Sequence, residues 1–252
     1  MVLWGMAVCV VTVLAVLRSA PALAATRFVA TTGTDAANNC LSSVSPCRTN
    51  TRALTQAVAG DVIQVAAGTY NTALGETFPL SVGVNLTITG ASAVTTIVNA
   101  GGVNRVFDIT AGSVGISGIT ITGGANVTQG AGIRNGASAN LTVTDVTVDA
   151  NTASAVAAGG SPATARGGGI YNFGSLTLTR VALTNNRVTA TTTGGGAATA
   201  QGLDIYNGGG GSMTLTNVTL DLGRERRVPR VRRVRRPHKG SSRRAAGART
   251  RC

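Results

Sequence analysis

The sequence predicts an all-β chain, a right-handed parallel β-helix with a short N-terminal capping helix, spanning about residues 26–223. Three observations carry this. Aromatics are only 3% of residues while glycine reaches 34, and Thr, Val, Ala and Asn are abundant, so the apolar surface comes in small β-branched pieces suited to short, closely stacked strands. From Val84 onward, short runs such as Leu86-Thr-Ile-Thr89 and Leu141-Thr-Val-Thr144 alternate strictly between aliphatic and threonine. That alternation gives each strand one buried face and one threonine face.

The third observation is a longer repeat. Ile133-Arg134-Asn135 followed by Leu141 to Asn151 aligns with Ile170-Tyr171-Asn172 followed by Leu176 to Asn186, and with Ile205-Tyr206-Asn207 followed by Met213 to Asp221. A unit of about twenty residues cannot bury its own apolar face, so successive units must stack. The register predicts columns of Ile133, Ile170 and Ile205, and of Val146, Val181 and Val218. A β-sandwich would instead require hairpin turns and no repeat register. The same register places Asn135, Asn172 and Asn207 above one another, and Asn151 above Asn186, as amide ladders in left-handed turn positions. Residues Thr152 to Arg166 and Val188 to Ala200, rich in Ala, Gly and Thr, are expected to be loops too small and flexible to pack.

Toward the N-terminus, Ala53, Leu54, Ala57 and Val58 follow a helical period, which predicts a helix over Asn50–Ala59 with Asn50 as N-cap and Gly60 just past its end. Residues 1–24 have the pattern of an export signal: an apolar run from Val8 to Leu17, then Pro21, then Ala22-Leu23-Ala24. Ten apolar residues are too few to span a bilayer, which needs about twenty. The expected location is therefore secreted or cell surface, with no transmembrane segment in the mature chain. Outside the signal and the C-terminal tail, the cysteines are Cys40 and Cys47, and an oxidising compartment predicts that they pair. A metal site would need further Cys or His ligands, and the one histidine is His238 in the tail.

The net charge of +13 belongs to one end. Residues 224–252 hold 13 Lys and Arg and one acid, so 9 basic and 8 acidic residues precede them. This Arg-rich tail, expected to be disordered, contains no aromatic residue to stack on bases, so nucleic acid is not an expected partner. Its Arg, Ala, Gly and Pro are encoded by GC-rich codons and it interrupts a repeat, which points to a frameshifted or truncated C-terminus. A genuine tail would bind polyanions.

The stretch Phe28-Val-Ala-Thr-Thr-Gly-Thr-Asp35, with Asn39-Cys40, Pro46-Cys47-Arg48-Thr49, Ala53-Leu54 and Gly60-Asp61 through Gly68-Thr69-Tyr70, resembles the N-terminal region of secreted bacterial right-handed β-helix proteins, the CSLREA-type and polymorphic-outer-membrane-protein-like groups. The Gly-x-Gly-Ile-x-Asn and Leu-Thr-x-Thr units resemble their repeats. The resemblance implies that the helix after the Cys pair caps the first coil. It also implies a surface protein or a relative of carbohydrate-active β-helices.

Catalysis has no evident residues. Acidic-polysaccharide lyases and hydrolases need calcium-binding carboxylate clusters, paired acids, or a base beside a metal. Asp35, Asp61, Glu76, Asp108, Asp145, Asp149, Asp204 and Asp221 are mostly isolated in sequence, and Asp145 aligns with Arg180 and Asn217 rather than with acids. The glycine runs 167–169 and 208–211 lack the Lys-Ser/Thr and the helix of a phosphate loop. No catalytic residue, cofactor or metal is expected. The predicted organisation is signal (1–24), N-terminal strand, Cys loop, helix and first coil (25–80), coils with inserted loops (81–223), and tail (224–252). The expected role is structural, adhesive or glycan-binding, with glycans or surface proteins as partners. A pectate-lyase-like lyase or hydrolase, and polyanion binding through the tail, are the alternatives; the oligomeric state is open.

Overall fold

The computed structural model describes residues 23–221. The expected export signal of residues 1–24, up to residue 22, and the expected tail of residues 224–252 lie outside the described residues. The described residues are all-β, with parallel sheets and one α-helix among them. Among the described residues no helix is long and apolar enough to cross a membrane.

Three tracks of strands run through the molecule, every pair within them parallel. The first stacks Thr26–Val29, Val62–Val65, Leu86–Gly90, the C-terminal halves of Phe107–Ser117 and Ile133–Thr144, then Ser175–Thr179 and Ser212–Thr216. The second stacks Leu80–Val82, the N-terminal halves of the same two long strands, Ile170–Asn172 and Ile205–Asn207. The third stacks Gly68–Asn71, Thr96–Asn99, Thr120–Thr122, Thr147–Asp149, Ala182–Thr184 and Thr219–Leu220.

Each track presents an aliphatic column inward, because alternate strand residues point to one face. The first track contributes Ile63, Ile88, Ile116, Val143, Leu178 and Leu215 in register. The second contributes Leu80, Phe107, Ile133, Ile170 and Ile205, and the third Tyr70, Val98, Ile121, Val148, Leu183 and Leu220. The three columns share one buried core. Burial fades in the last repeat, where Leu215 and Leu220 are about 40% exposed, since no described strand follows to cover them.

At the other end the core is closed. The helix spans Asn50–Gln56 and packs on the first strands. It differs from the expectation in both ends: Thr49, not Asn50, is the N-cap, its hydroxyl accepting from Arg52 N at 3.0 Å, and Ala57 ends it in extended conformation. Asn50 instead sits inside the first turn, where the buried Glu76 carboxylate accepts from the backbone N–H groups of Asn50 and Thr51 at 2.6 and 2.9 Å. The helix's free donors are thereby satisfied by a residue 26 positions away.

The expectation of two packing-free loops is corrected. Thr152–Ala157 pairs in parallel with Arg187–Thr192, and Ala163–Arg166 with Ala198–Gln201. Bridges Val127 to Ala153 and Gln129 to Arg166 extend this stack to the preceding repeat. Ala131, Ala153, Ala165 and Val188 form a second small core beneath it. Small side chains did not prevent packing; equal insert lengths kept successive inserts in register, so their backbones pair and alanine suffices to fill a thin layer.

Candidate functional site

Cys40 and Cys47 are disulfide-bonded with α-carbons 4.9 Å apart, and both are fully buried. The bridge holds the loop that returns to the first strand, where Cys47 N donates to Phe28 O at 2.8 Å.

Asn135, Asn172 and Asn207 occupy equivalent positions on neighbouring second-track strands. Asn135 Nδ2 donates to Asn172 Oδ1 at 2.7 Å, and Asn172 Nδ2 to Asn207 Oδ1 at 2.6 Å. Each amide also donates across the corner to a carbonyl: Ser175 for Asn135, Ser212 for Asn172, Gly211 for Asn207. The left-handed turn assignment for these residues is corrected. Asn172 and Asn207 end their strands and Asn135 lies within Ile133–Thr144, all in extended conformation, while left-handed corner positions belong to Asp145, Arg180 and Asn217, with φ of 55°, 53° and 53°. The ladder residues must point inward to meet each other, and an inward-pointing amide is a strand position, not a turn tip.

A second ladder runs from the Gly124 N–H through Asn151 and Asn186 to Asp204 Oδ1. Asp204 stands where the earlier repeats have Gly132 and Gly169. Burial pushes its carboxyl above the ordinary value, Asn186 opposing and Asp221 adding to the rise. These amides hold the corners shut. Replacing Asn172 by alanine strands a buried Asn135 donor and an Asn207 acceptor, and is expected to cost about 2 kcal/mol of stability, read as a lower urea midpoint at unchanged slope.

The outward side of the second track carries a different set of residues. One residue turns outward between two inward ones, Phe107 and Ile109 in one repeat and Ile and Asn in the next three, and these stack as Asp108, Arg134, Tyr171 and Tyr206. Phe173, Tyr171 and Tyr206 form a row of near-parallel rings with centroids 5.5 and 5.4 Å apart. Arg166, at the base of the inserted strands, lies over the Tyr206 ring at 5.2 Å and donates through Nε to Gln201 Oε1 at 2.8 Å. At the other end of the row Arg134 grips Asp108 with two bonds of 2.6 and 3.0 Å, and Arg105 lies 3.8 Å from the same carboxylate. Arg105 Nη1 is buried without a hydrogen-bond partner. Two guanidinium groups, Arg134 and Arg105, thus face the one carboxylate, and with Arg166 at the far end of the row the strip carries three cations to one anion.

Burial pushes the Tyr171 phenol above its ordinary value despite the opposing Arg166, so it stays a neutral donor. Asp108 has both oxygens occupied by Arg134. Tyr171 is buried between its two neighbours at 7% exposure, so the arrangement presents the Phe173 and Tyr206 rings at the ends of the row, with hydroxyl and guanidinium donors beside them.

Elsewhere the carboxylates serve the fold. Asp145 takes two bonds from the exposed Arg180 at 2.6 and 2.7 Å; Asp149 accepts from Thr184 and Asn185; Asp35 accepts from Arg48 N and Thr49. Among the described residues no three His, Cys, Asp or Glu side chains converge as metal ligands.

The sequence reading missed the strip. Its signal was the middle residue of Ile-Arg-Asn, Ile-Tyr-Asn and Ile-Tyr-Asn, which the same alternation that buries Ile and Asn turns outward. Arg105, Asp108, Phe173 and Arg166 lie outside that triplet and had no such signal.

No curated protein and no solved structure matches the chain. A family model described as Protein of unknown function (DUF1565) matches residues 31–221, well over half of the 252 residues. A parallel all-β chain with an outward aromatic and arginine strip thus belongs to the DUF1565 family.

Proposed function

We propose that this chain is an exported, cell-surface right-handed parallel β-helix, of the kind seen in CSLREA-type and polymorphic-outer-membrane-protein-like proteins, that binds acidic glycans on its second track. The solenoid reading is supported by three in-register parallel tracks built from successive repeats, and the hand by the strong preference of parallel crossovers for right-handed connection. The disulfide supports export, since such bonds persist in oxidising compartments.

The observation that carries the glycan reading is the Phe173–Tyr171–Tyr206 row flanked by Arg166 and Arg134. Aromatic surfaces pack against the C–H faces of sugar rings while guanidinium and phenol groups donate to hydroxyls and carboxylates. Excess positive charge in the strip favours uronate-bearing chains over neutral ones. The role is binding rather than turnover, because the carboxylate of the strip is locked by arginine.

A glycan array on the full chain tests this. Arg166→Ala and Tyr206→Ala, which leave the inward columns intact, are each expected to weaken binding of uronate-bearing glycans about tenfold, the equivalent of 1.4 kcal/mol. Unchanged affinity in both variants would remove the strip from the function. Release of shortened products would replace binding with cleavage.

A further inference from the structure

We propose a second activity on a different face: the outward surface of the first track binds ice. Five neighbouring strands each present a pair of residues, two apart, on this face: Thr87 and Thr89, Gly115 and Ser117, Thr142 and Thr144, Thr177 and Thr179, Thr214 and Thr216. The pairs are aligned residue for residue; the one register irregularity of the long strands lies between Ile109 and Ala111, before this surface begins.

Strand neighbours lie about 4.8 Å apart and alternate residues on a strand about 6.6 Å apart, so the pairs form two straight columns with a near-rectangular repeat. These spacings lie close to the oxygen repeats on the prism faces of hexagonal ice. Threonine is β-branched and stiff at its first side-chain torsion, and neighbours above and below narrow its choice further, so the array holds its hydroxyl and methyl groups in fixed rows.

The hydroxyls are free for water. Among the described residues, Thr87, Thr142, Thr144, Thr177, Thr179, Thr214 and Thr216 make no side-chain hydrogen bond; one contact within the array, Ser117 to Thr89 at 3.3 Å, joins two of its own members. The adjoining column of Ser113, Asn140, Ser175 and Ser212 is also uncharged. The nearest charges, Asp145 and Arg180 at the corner that follows Thr144 and Thr179, neutralise each other, so the face itself is complementary in charge to a neutral surface and in repeat to a periodic one. A charged side chain would orient water around itself and break that period. A rigid, neutral array orients water in a lattice, and the ordering cost is met by the protein's own folding rather than at contact. A soluble polymer supplies no two-dimensional lattice to use five aligned rows.

This face lies on a different track from the Arg166 and Tyr206 strip, so the two activities fail separately. The full chain is tested for a gap between melting and freezing points, and for uptake into a slowly growing ice mass. The wild-type protein is expected to facet ice crystals and to concentrate in the ice. Replacing both Thr142 and Thr177 by tyrosine is expected to abolish both effects, while Thr147→Tyr on the third track leaves them. If circular dichroism shows the tyrosine pair unfolded, Thr142→Ser with Thr177→Ser decides, with a reduced gap expected because the methyl rows are broken without added bulk. Exclusion of the wild-type protein from ice, or an unchanged gap in the folded central variant, overturns the proposal. So does retention on insoluble polysaccharide without uptake into ice.

Discussion

Replacing Ile170 by alanine is expected to cost about 3–4 kcal/mol, because it empties the centre of a fully buried column. Ile170 sits between Ile133 and Ile205 in the second track and is flanked by the other two aliphatic columns. Strand backbones above and below are fixed by parallel hydrogen bonds, so the cavity cannot close by local collapse, which places the loss in the upper half of the usual range. The same substitution at Ile205, which is only partly buried in the last repeat, is expected to cost less than half as much. Urea unfolding of the two variants checks the pair; equal losses would mean that the last repeat is covered as well as the middle.

Removing Arg27 has an expected effect of similar size and a pH signature. Asp61 is fully buried, and Arg27 Nε donates to its Oδ2 at 2.6 Å. Burial alone raises the Asp61 carboxyl. The N–H groups of Ala25 and Val58, at 2.7 and 3.0 Å, and the Arg27 guanidinium outweigh that and hold it below the ordinary carboxylate value. A carboxyl held below its unfolded value of about 3.9 adds stability that is fully present above that pH and is lost as pH falls through the folded value. Arg27→Met leaves Asp61 buried with part of its charge uncompensated, at an expected cost of about 3 kcal/mol near neutral pH. The folded carboxyl then rises, so acid unfolding of the variant is expected at a higher pH than in the wild type. Converting Asp61 to leucine in the same chain removes the stranded charge but also takes the acceptor from the Ala25 and Val58 N–H groups, so only part of the loss is expected back. Coincident acid midpoints for wild type and Arg27→Met, followed by circular dichroism, would show that the ion pair does not hold the first repeat.

How far the sequence could be read depended on whether a residue's neighbours were near in sequence or set by register. The alternation in Leu141-Thr-Val-Thr144 and its partners assigned inward and outward sides without coordinates, and the spacing of Ile133, Ile170 and Ile205 assigned their column. The N-cap was read one residue late because Asn50 is an acceptable cap by type, and what displaces it is Glu76, a partner 26 residues away. The inserts resemble loops in composition, and their order is carried by their matching lengths instead. Thr152 pairs with Arg187 and Ala163 with Ala198, each 35 residues on, so the order comes from equal lengths rather than from any single side chain.

By itself the sequence determined the all-β class, the cysteines suited to pairing, the inward columns and the threonine face, because each follows from a period of two within strands and a repeat between them. Tertiary structure alone decided that Arg166, Phe173, Tyr171 and Tyr206 meet, that Arg105 and Arg134 share Asp108, and that Asp204 ends the second amide ladder. Tyr171 over Tyr206 and Arg134 beside Asp108 follow the register of one track, but Arg166 reaches in from an insert, and Phe173, Arg105 and Asp204 from beyond the strand ends, and those approaches are fixed by how the chain turns each corner, which no local pattern encodes.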